Sequence, residues 1–291
     1  MRHAGAPGST WRDLDACTRE REYSPSSCIG GNYEPFVRAY AQQSAAARAA
    51  TPGRLGLAYG PAETQRLDLF APAAVPGGAA ALLVFIHGGY WQELSRQDSA
   101  FAASHCVKQG FALAALDYTL APHASVAQIV GECRDALAWL HANAAGLGLD
   151  AQRIVVAGSS AGAHLAAMTA LPRACAPAVR AAVLVSGIYE IEPLVGTSIN
   201  HALSLTLESA RELSPALLAL QGFPRAIVAW GEVETAEFKR QSYDFAARLG
   251  RAGTRCETIE VAQRNHFDVI LGLADPQDPL GRAVTALMRS L

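Results

Sequence analysis

The chain has 291 residues, of which 51% are hydrophobic and 17% are charged, and its formal net charge is −2. This length and composition suit a single folded domain with a large buried core. Because the arginines are scattered and the net charge is close to zero, the sequence lacks the clustered positive surface that nucleic acid or an anionic membrane requires, and we expect neither partner.

The sequence carries no sign of export or of membrane insertion. Residues 1–20 lack an apolar signal segment, and no apolar run reaches the length of a transmembrane helix. The six cysteines have neither C-x-x-C spacing nor a histidine at a zinc-finger interval. We therefore expect a cytoplasmic protein with reduced thiols and no metal site.

Apolar runs of strand length alternate with helical patterns along most of the chain. The N-terminal segment, residues 1–53, is less regular, with a helix predicted near residues 33–50 that either packs on the body of the protein or helps to cover the pocket. Residues 54–291 form the predicted main domain, whose alternation indicates a mostly parallel sheet with helices on both faces. Its eight predicted strands are residues 55–59, 66–70, 81–86, 112–117, 154–157, 181–186, 226–230 and 258–261. Because residues 60–63 are too few for a crossover helix, the first two strands should pair antiparallel at one edge.

Helices are predicted where apolar residues recur at steps of three and four. The clearest pattern is residues 125–144, whose apolar positions form one buried stripe. Further helices are predicted at residues 97–109, 161–170, 236–251 and 281–289. Residues 188–222 break the alternation with prolines, serines and leucines, and we predict that they form a small cap over the site.

Two loops carry the strongest chemical signal. Gly158-Ser159-Ser160-Ala161-Gly162 follows an apolar run and precedes a helix, which is the G-x-S-x-G context of a nucleophilic serine on a strained turn. His87-Gly88-Gly89-Tyr90-Trp91 follows a second apolar run and offers backbone N–H groups to an oxyanion. We predict Ser160 as the nucleophile and an oxyanion hole built from Gly88, Gly89, Tyr90 and Ala161.

A serine on such a turn requires an acid and then a histidine, each after a later strand. His266 follows the last predicted strand and is the predicted base, since the other seven histidines do not follow a late strand. The acid is less sharply defined, because Glu232, Glu234 and Glu237 all lie near the end of one strand. Glu234 has the most room to turn back toward the histidine and is the predicted acid, with Glu232 as the alternative.

These residues resemble the kynurenine formamidase, or arylformamidase, family of α/β hydrolases. The family's H-G-G-x-W and G-x-S-A-G-A-H-L motifs correspond to residues 87–91 and 158–165. Similarity extends to residues 22–26, 186–189, 197–200, 237–242 and 266–268, and so covers nearly the whole chain. The resemblance implies an α/β-hydrolase fold with Ser160, Glu234 and His266 as the triad, although the acid of the animal enzymes is an aspartate.

The resemblance implies hydrolysis of N-formyl-kynurenine to kynurenine and formate, as a step of tryptophan catabolism, with no metal and no organic cofactor. The expected partner is therefore a small aryl formamide or ester, and the predicted substrate-binding residues are Trp91, Ser198 and Asn200. A homodimer is compatible with the sequence, which has no feature that decides the oligomeric state.

Two other functions stay open. The same triad and oxyanion hole serve a general carboxylesterase acting on short-chain aryl esters, and an α/β-hydrolase fold can also bind a ligand without turnover. An intact triad favours an enzyme. For Trp91, packing against the strand ends is an alternative to contact with substrate, since large aromatic side chains occur in cores as readily as in pockets.

Overall fold

The computed structural model describes residues 11–75, 78–174, 176–177 and 179–291. Its centre is an eight-stranded sheet with the strand order β1-β2-β4-β3-β5-β6-β7-β8. The strands are β1 Gly53–Ala58, β2 Arg66–Phe70, β3 Ala80–Ile86, β4 Ala112–Leu116, β5 Leu149–Ser159, β6 Ala181–Val185, β7 Arg225–Val233 and β8 Cys256–Asn265. Strand β2 runs antiparallel to both of its neighbours, and the remaining pairs are parallel. The predicted mostly parallel sheet and its antiparallel edge are therefore confirmed.

Helices cover both faces of this sheet. They are α1 Ala16–Glu22, α2 Glu34–Ala50, α3 Ala103–Lys108, α4 Val126–Leu147, α5 Ala161–Ala170, α6 Asn200–Leu203, α7 Leu207–Glu212, α8 Ala236–Arg251 and α9 Pro279–Arg289. Alternate residues of β3 point to opposite faces, so that Val84 packs with α4, α5 and α8 while Phe85 packs with α2, α3 and α9. The central strands β3, β4 and β6 are thus buried on both sides, which explains their continuous apolar sequences.

The helix predicted over residues 97–109 is wrong in extent. The structure has a short 3₁₀ turn at Arg96–Asp98, and α3 begins only at Ala103. The backbone N–H of Ala100 donates to the Ser44 hydroxyl of α2 at 3.0 Å rather than continuing a helix. A tertiary contact that the local sequence does not reveal has replaced the regular helical hydrogen bond.

The segment between β6 and β7 consists of short elements. Its residues 188–222 contain α6, α7 and two 3₁₀ turns at Glu192–Gly196 and Pro215–Leu217. The division into residues 1–53, residues 54–291 and a cap at 188–222 stays a prediction. Among the described residues, no helix combines the length and apolar character needed to cross a bilayer.

Candidate active site

Ser160 lies on a sharp turn between β5 and α5. Its backbone has φ 57° and ψ −121°, a strained conformation for a residue with a side chain. The turn is held because the N–H of Ser160 donates to the carbonyl of Val185 at 2.9 Å. A Cβ on Gly158 would lie 2.2 Å from the carbonyl oxygen of Gly162, so the first glycine of the motif is a steric requirement.

The loop formed by residues 87–91, which we call the oxyanion loop, packs directly against this turn. A Cβ on Gly88 would lie 2.7 Å from the carbonyl oxygen of Ser159 and 3.2 Å from Cβ of Ser160. The loop turns through positive φ values of 89° at Gly89 and 50° at Tyr90. On the other side of the serine, Ala161 is the first residue of α5, and its N–H group has no partner within the helix.

An ionic network supports the oxyanion loop from behind. The Arg96 guanidinium lies 2.6 Å from Asp117 and 3.1 Å from Asp68, and the imidazole of His87 lies 3.6 Å from Asp117. Burial raises the pKa of the Asp117 carboxyl, but His87 and Arg96 outweigh it and hold that pKa below its usual range. The His87 ring also stacks on Tyr118 at 4.2 Å between centroids. The loop is therefore fixed by buried contacts.

Glu234 and His266 meet at the carboxyl ends of β7 and β8. Nδ1 of His266 lies 3.0 Å from Oε2 of Glu234, and because a carboxylate only accepts, that nitrogen must carry the proton. Oε1 accepts from the Ser186 hydroxyl at 2.6 Å and from the Gly231 N–H at 2.6 Å. Three donors thus compensate the carboxylate for its complete burial. In the neutral imidazole this tautomer leaves Nε2 as the nitrogen that can accept a proton.

The carboxylates of the other two candidates, Glu232 and Glu237, have other hydrogen-bond partners. Glu232 is exposed, and its carboxylate accepts from the backbone N–H of Gln263 at 2.8 Å. Glu237 is buried, but it is bound by the Tyr23 hydroxyl at 2.7 Å and by the Arg240 guanidinium at 2.8 Å. Of the three glutamates, only Glu234 has a hydrogen bond to His266 among the described residues.

A cavity of about 380 Å³ brings the predicted nucleophile and base together. Ser160 and His266 both line it, together with His87, Gly88, Gly89 and Tyr90 of the oxyanion loop. Aromatic side chains also line it, among them those of Tyr33, Tyr40, Phe85, Phe101 and Phe267. This volume suits a ligand of the size of a substituted arylamine.

Comparisons with known proteins agree with this geometry. Residues 67–178 match the family model described as BD-FAE. A kynurenine formamidase from Danio rerio is 30% identical, with 92% of this chain and 94% of that protein covered. A second one, from Salmo salar, is 30% identical, with 96% and 99% covered. The chain belongs to the kynurenine formamidase family.

Relatives of this formamidase family extend to esterases. Esterase LipC of Mycobacterium tuberculosis is 28% identical over 74% of this chain and 60% of that protein. A crystal structure of a proposed thioesterase from Silicibacter sp. superposes with a TM-score of 0.79 and 27% identity, covering 93% of this chain and 98% of that one. The protein is therefore a serine hydrolase of the α/β-hydrolase fold.

The three predicted substrate-binding residues of this family member differ in their position relative to the cavity. Ser198 does line the cavity, and its N–H donates to the Glu20 carboxylate at 2.9 Å. Trp91 is completely buried, packs edge-on against His164 at 5.0 Å and does not line the cavity, a placement that agrees with the packing alternative. Asn200 does not line the cavity either, and its side-chain amide is hydrogen-bonded to the backbone of Leu205, at 2.8 Å and 3.0 Å. Its contact with a substrate stays a prediction.

His164 has a structural place one turn after Ser160. It is fully buried, and its Nε2 lies 2.6 Å from the carbonyl oxygen of Leu213. Burial lowers the pKa of His164 to about 4, so the ring is neutral near pH 7. His3, another of the eight histidines, lies outside the described residues.

One feature of the site was absent from the sequence prediction. Ser186 binds the predicted acid, and its position immediately after β6 was a usable signal because neighbouring strands end at the same edge. The N-terminal segment contributes cavity walls, through residues 23–26 and through Tyr33, Val37 and Tyr40. These contacts agree with the alternative in which the predicted N-terminal helix helps to cover the pocket.

Proposed function

We propose that the protein hydrolyses the formyl amide of N-formyl-arylamines, with N-formyl-kynurenine converted to kynurenine and formate. The observation that carries the proposal is the joint placement of a strained serine, a histidine bound by a buried glutamate, and the oxyanion loop around one cavity. The choice of a formyl group and of kynurenine as the amine rests on the formamidase relatives, because their similarity extends over almost the whole chain.

The first half-reaction acylates the serine. Nε2 of His266 accepts the proton of the Ser160 hydroxyl as Oγ forms a bond to the formyl carbon. The carbonyl electrons move onto oxygen, which is stabilised by the N–H groups of Ala161 and of the Gly89–Tyr90 turn. Glu234 holds the Nδ1–H of His266 and stabilises the imidazolium that forms. The C–N bond then breaks, and the proton on Nε2 passes to the departing arylamine.

The second half-reaction releases formate. A water molecule gives a proton to Nε2 of His266 while its oxygen attacks the formyl-serine. The oxyanion forms again in the same N–H groups, the bond to Oγ of Ser160 breaks, and Oγ takes back the proton from the imidazolium. These steps consume one amide and one water and produce one amine and one formic acid, which ionises to formate.

The walls beside the serine support a small acyl group. Gly88 is so close to Ser160 that the oxyanion loop leaves little space there. The Tyr90 ring lines the cavity and is fixed in place because its hydroxyl donates to the carbonyl of Tyr23. A formyl hydrogen requires less room at this wall than an acetyl methyl does.

Acyl size provides the test of this proposal. We expect formanilides to be cleaved faster than the matching acetanilides after each rate is divided by the alkaline hydrolysis rate of the same compound. One methyl group in an apolar pocket is worth about 10- to 200-fold, which sets the expected preference. A normalised preference near unity, or butyrate esters as the best substrates, would contradict the formamidase proposal.

A general carboxylesterase is the second candidate, because esterases are also among the relatives of this chain. The same measurements separate the two enzymes when short aryl esters are included. A fluorophosphonate probe tests the non-catalytic alternative, since only an activated serine reacts with it. We expect labelling of Ser160 in the wild-type protein and none in Ser160→Ala.

A further inference from the structure

The walls of the candidate active-site cavity carry an unbalanced charge. Two carboxylates, those of Glu93 and Asp98, line it together with the two histidines of the site. Within the described part of the chain, none of the lining residues is a lysine or an arginine. A carboxylate on a bound molecule would therefore meet acidic side chains without a cationic partner.

Two arginines on neighbouring elements are paired with protein carboxylates. Arg96 lies between Asp68 and Asp117, at 3.1 Å and 2.6 Å. Beyond the histidine loop, Arg264 is paired with Asp278 at 3.3 Å. Turning either guanidinium toward a ligand would leave a mostly buried carboxylate without its partner, which is energetically costly.

Glu93 is built into the mouth of the cavity. Its N–H donates to the carbonyl of Gly89 at 3.1 Å, so the residue is fixed to the oxyanion loop. The exposed carboxylate accepts from the Tyr33 hydroxyl at 3.3 Å. The Tyr33 ring in turn stacks on Phe267, with centroids 5.6 Å apart and planes 12° apart. Glu93 therefore lies beside an aromatic wall formed by Tyr33 and Phe267, and Phe267 is the residue directly after His266.

We propose that this site prefers aryl formamides whose amine side carries a cationic group, with Glu93 as the residue that faces the cation, and that a carboxylate on the substrate is disfavoured. This inference rests on the proposed function and narrows its substrate class. An aryl ring against Phe267 and Tyr33 places a short ammonium-bearing substituent near Glu93. N-formyl-kynurenine carries both an ammonium and a carboxylate group, so its decarboxylated analogue is the better substrate.

Four ortho-substituted formanilides test the preference. They share the ketone side chain of N-formyl-kynurenine and carry the ammonium group alone, neither charge, both charges, or the carboxylate alone. We expect kcat/KM to fall in that order. The cationic compound should lose its advantage as salt is added, because an exposed charge pair is screened. A carboxylate compound that is cleaved as fast as the neutral one would overturn the proposal.

Glu93→Gln tests the assigned residue, since the amide still accepts from Tyr33 but carries no charge. We expect the ratio of kcat/KM between the cationic and neutral compounds to fall by about fivefold, the upper range for an exposed ion pair. Glu208→Gln is the matched control, because it removes the same charge from the exposed face of α7 without lining the cavity. An unchanged ratio in Glu93→Gln would remove Glu93 from this role.

A different result is expected if the proposed function itself is wrong. None of the four formanilides is then cleaved, although phenyl acetates are. The same four side chains on phenyl acetates then measure the charge preference separately, and the same order of kcat/KM is expected.

Discussion

The hydroxyl of Ser186 donates a 2.6 Å hydrogen bond to Oε1 of Glu234, although the two residues follow different strands. Ser186 is completely buried and has φ 51°, so its backbone is strained while its side chain is held against the acid. The serine thus acts on His266 through the glutamate, as a positioning residue.

Ser186→Ala should lower kcat by about tenfold, because a hydrogen bond to a charged group is worth about 1.5–3 kcal/mol and the Gly231 N–H remains. Ser186→Gly separates the hydroxyl from the backbone, since glycine adopts a positive φ without strain. Both variants lack the hydroxyl, so a role for the hydroxyl requires that both have a lowered kcat in steady-state assays. If Ser186→Gly keeps the wild-type kcat, the loss in Ser186→Ala is due to backbone strain and not to the missing hydroxyl.

Ser160→Ala should reduce kcat by at least about 10⁴-fold while the protein stays folded, because removal of the nucleophile leaves only oxyanion-hole and binding effects. Ser159→Ala is the matched control, since Ser159 precedes it on the same turn and also lines the cavity. We expect the control to keep most of its activity. Circular dichroism checks that both variants are folded, and substantial turnover by Ser160→Ala would end its assignment as nucleophile.

Glu234→Gln should lower kcat by about 10³- to 10⁴-fold, because an amide can present its NH₂ group to His266 and does not stabilise the imidazolium. Glu232→Gln should remain near the wild-type value, since that exposed carboxylate binds only the Gln263 N–H within the described contacts. The comparison of kcat for the two variants decides between the two acids. A larger loss in Glu232→Gln would transfer the role.

Tyr23→Phe should lower the free energy of unfolding by about 1–3 kcal/mol, because Glu237 and Gln241 lose their buried partner. Burial and the Glu237 carboxylate hold the pKa of Tyr23 well above its usual range, so the hydroxyl stays protonated near neutral pH. Tyr243→Phe is the control, since that side chain is 66% exposed. Equal denaturant midpoints for the two variants would contradict a structural role for the buried hydroxyl.

Acid stability should depend on Asp117. Its pKa is below the usual 3.8, so ionised Asp117 stabilises the fold above about pH 4, and this contribution is lost as the pH falls through the lowered value. We expect Asp117→Asn to be less stable than the wild type at neutral pH, with a difference that shrinks below about pH 4. Denaturant titrations at several pH values measure it, and a difference that grows in acid would reverse the assigned sign.

The sheet was predictable because its central strands are nearly continuous apolar runs, and the glycines beside Ser160 mark a turn where side chains would collide. Sequence reasoning also ranked Glu234 first, a choice with which the His266 contact agrees. For Trp91 it left packing and substrate contact as alternatives. The structure packs Trp91 against His164, a contact with a distant part of the chain that periodicity does not reveal.

Contacts that close the site join segments that are far apart along the chain. The carbonyl of Glu22 accepts from the Thr235 hydroxyl across 213 residues, and the Tyr23 hydroxyl donates to Glu237 across 214. During synthesis residues 22 and 23 leave the ribosome well before α8, the helix on which they dock. A nascent chain that stops before α8 therefore leaves this part of the cavity wall without its anchor.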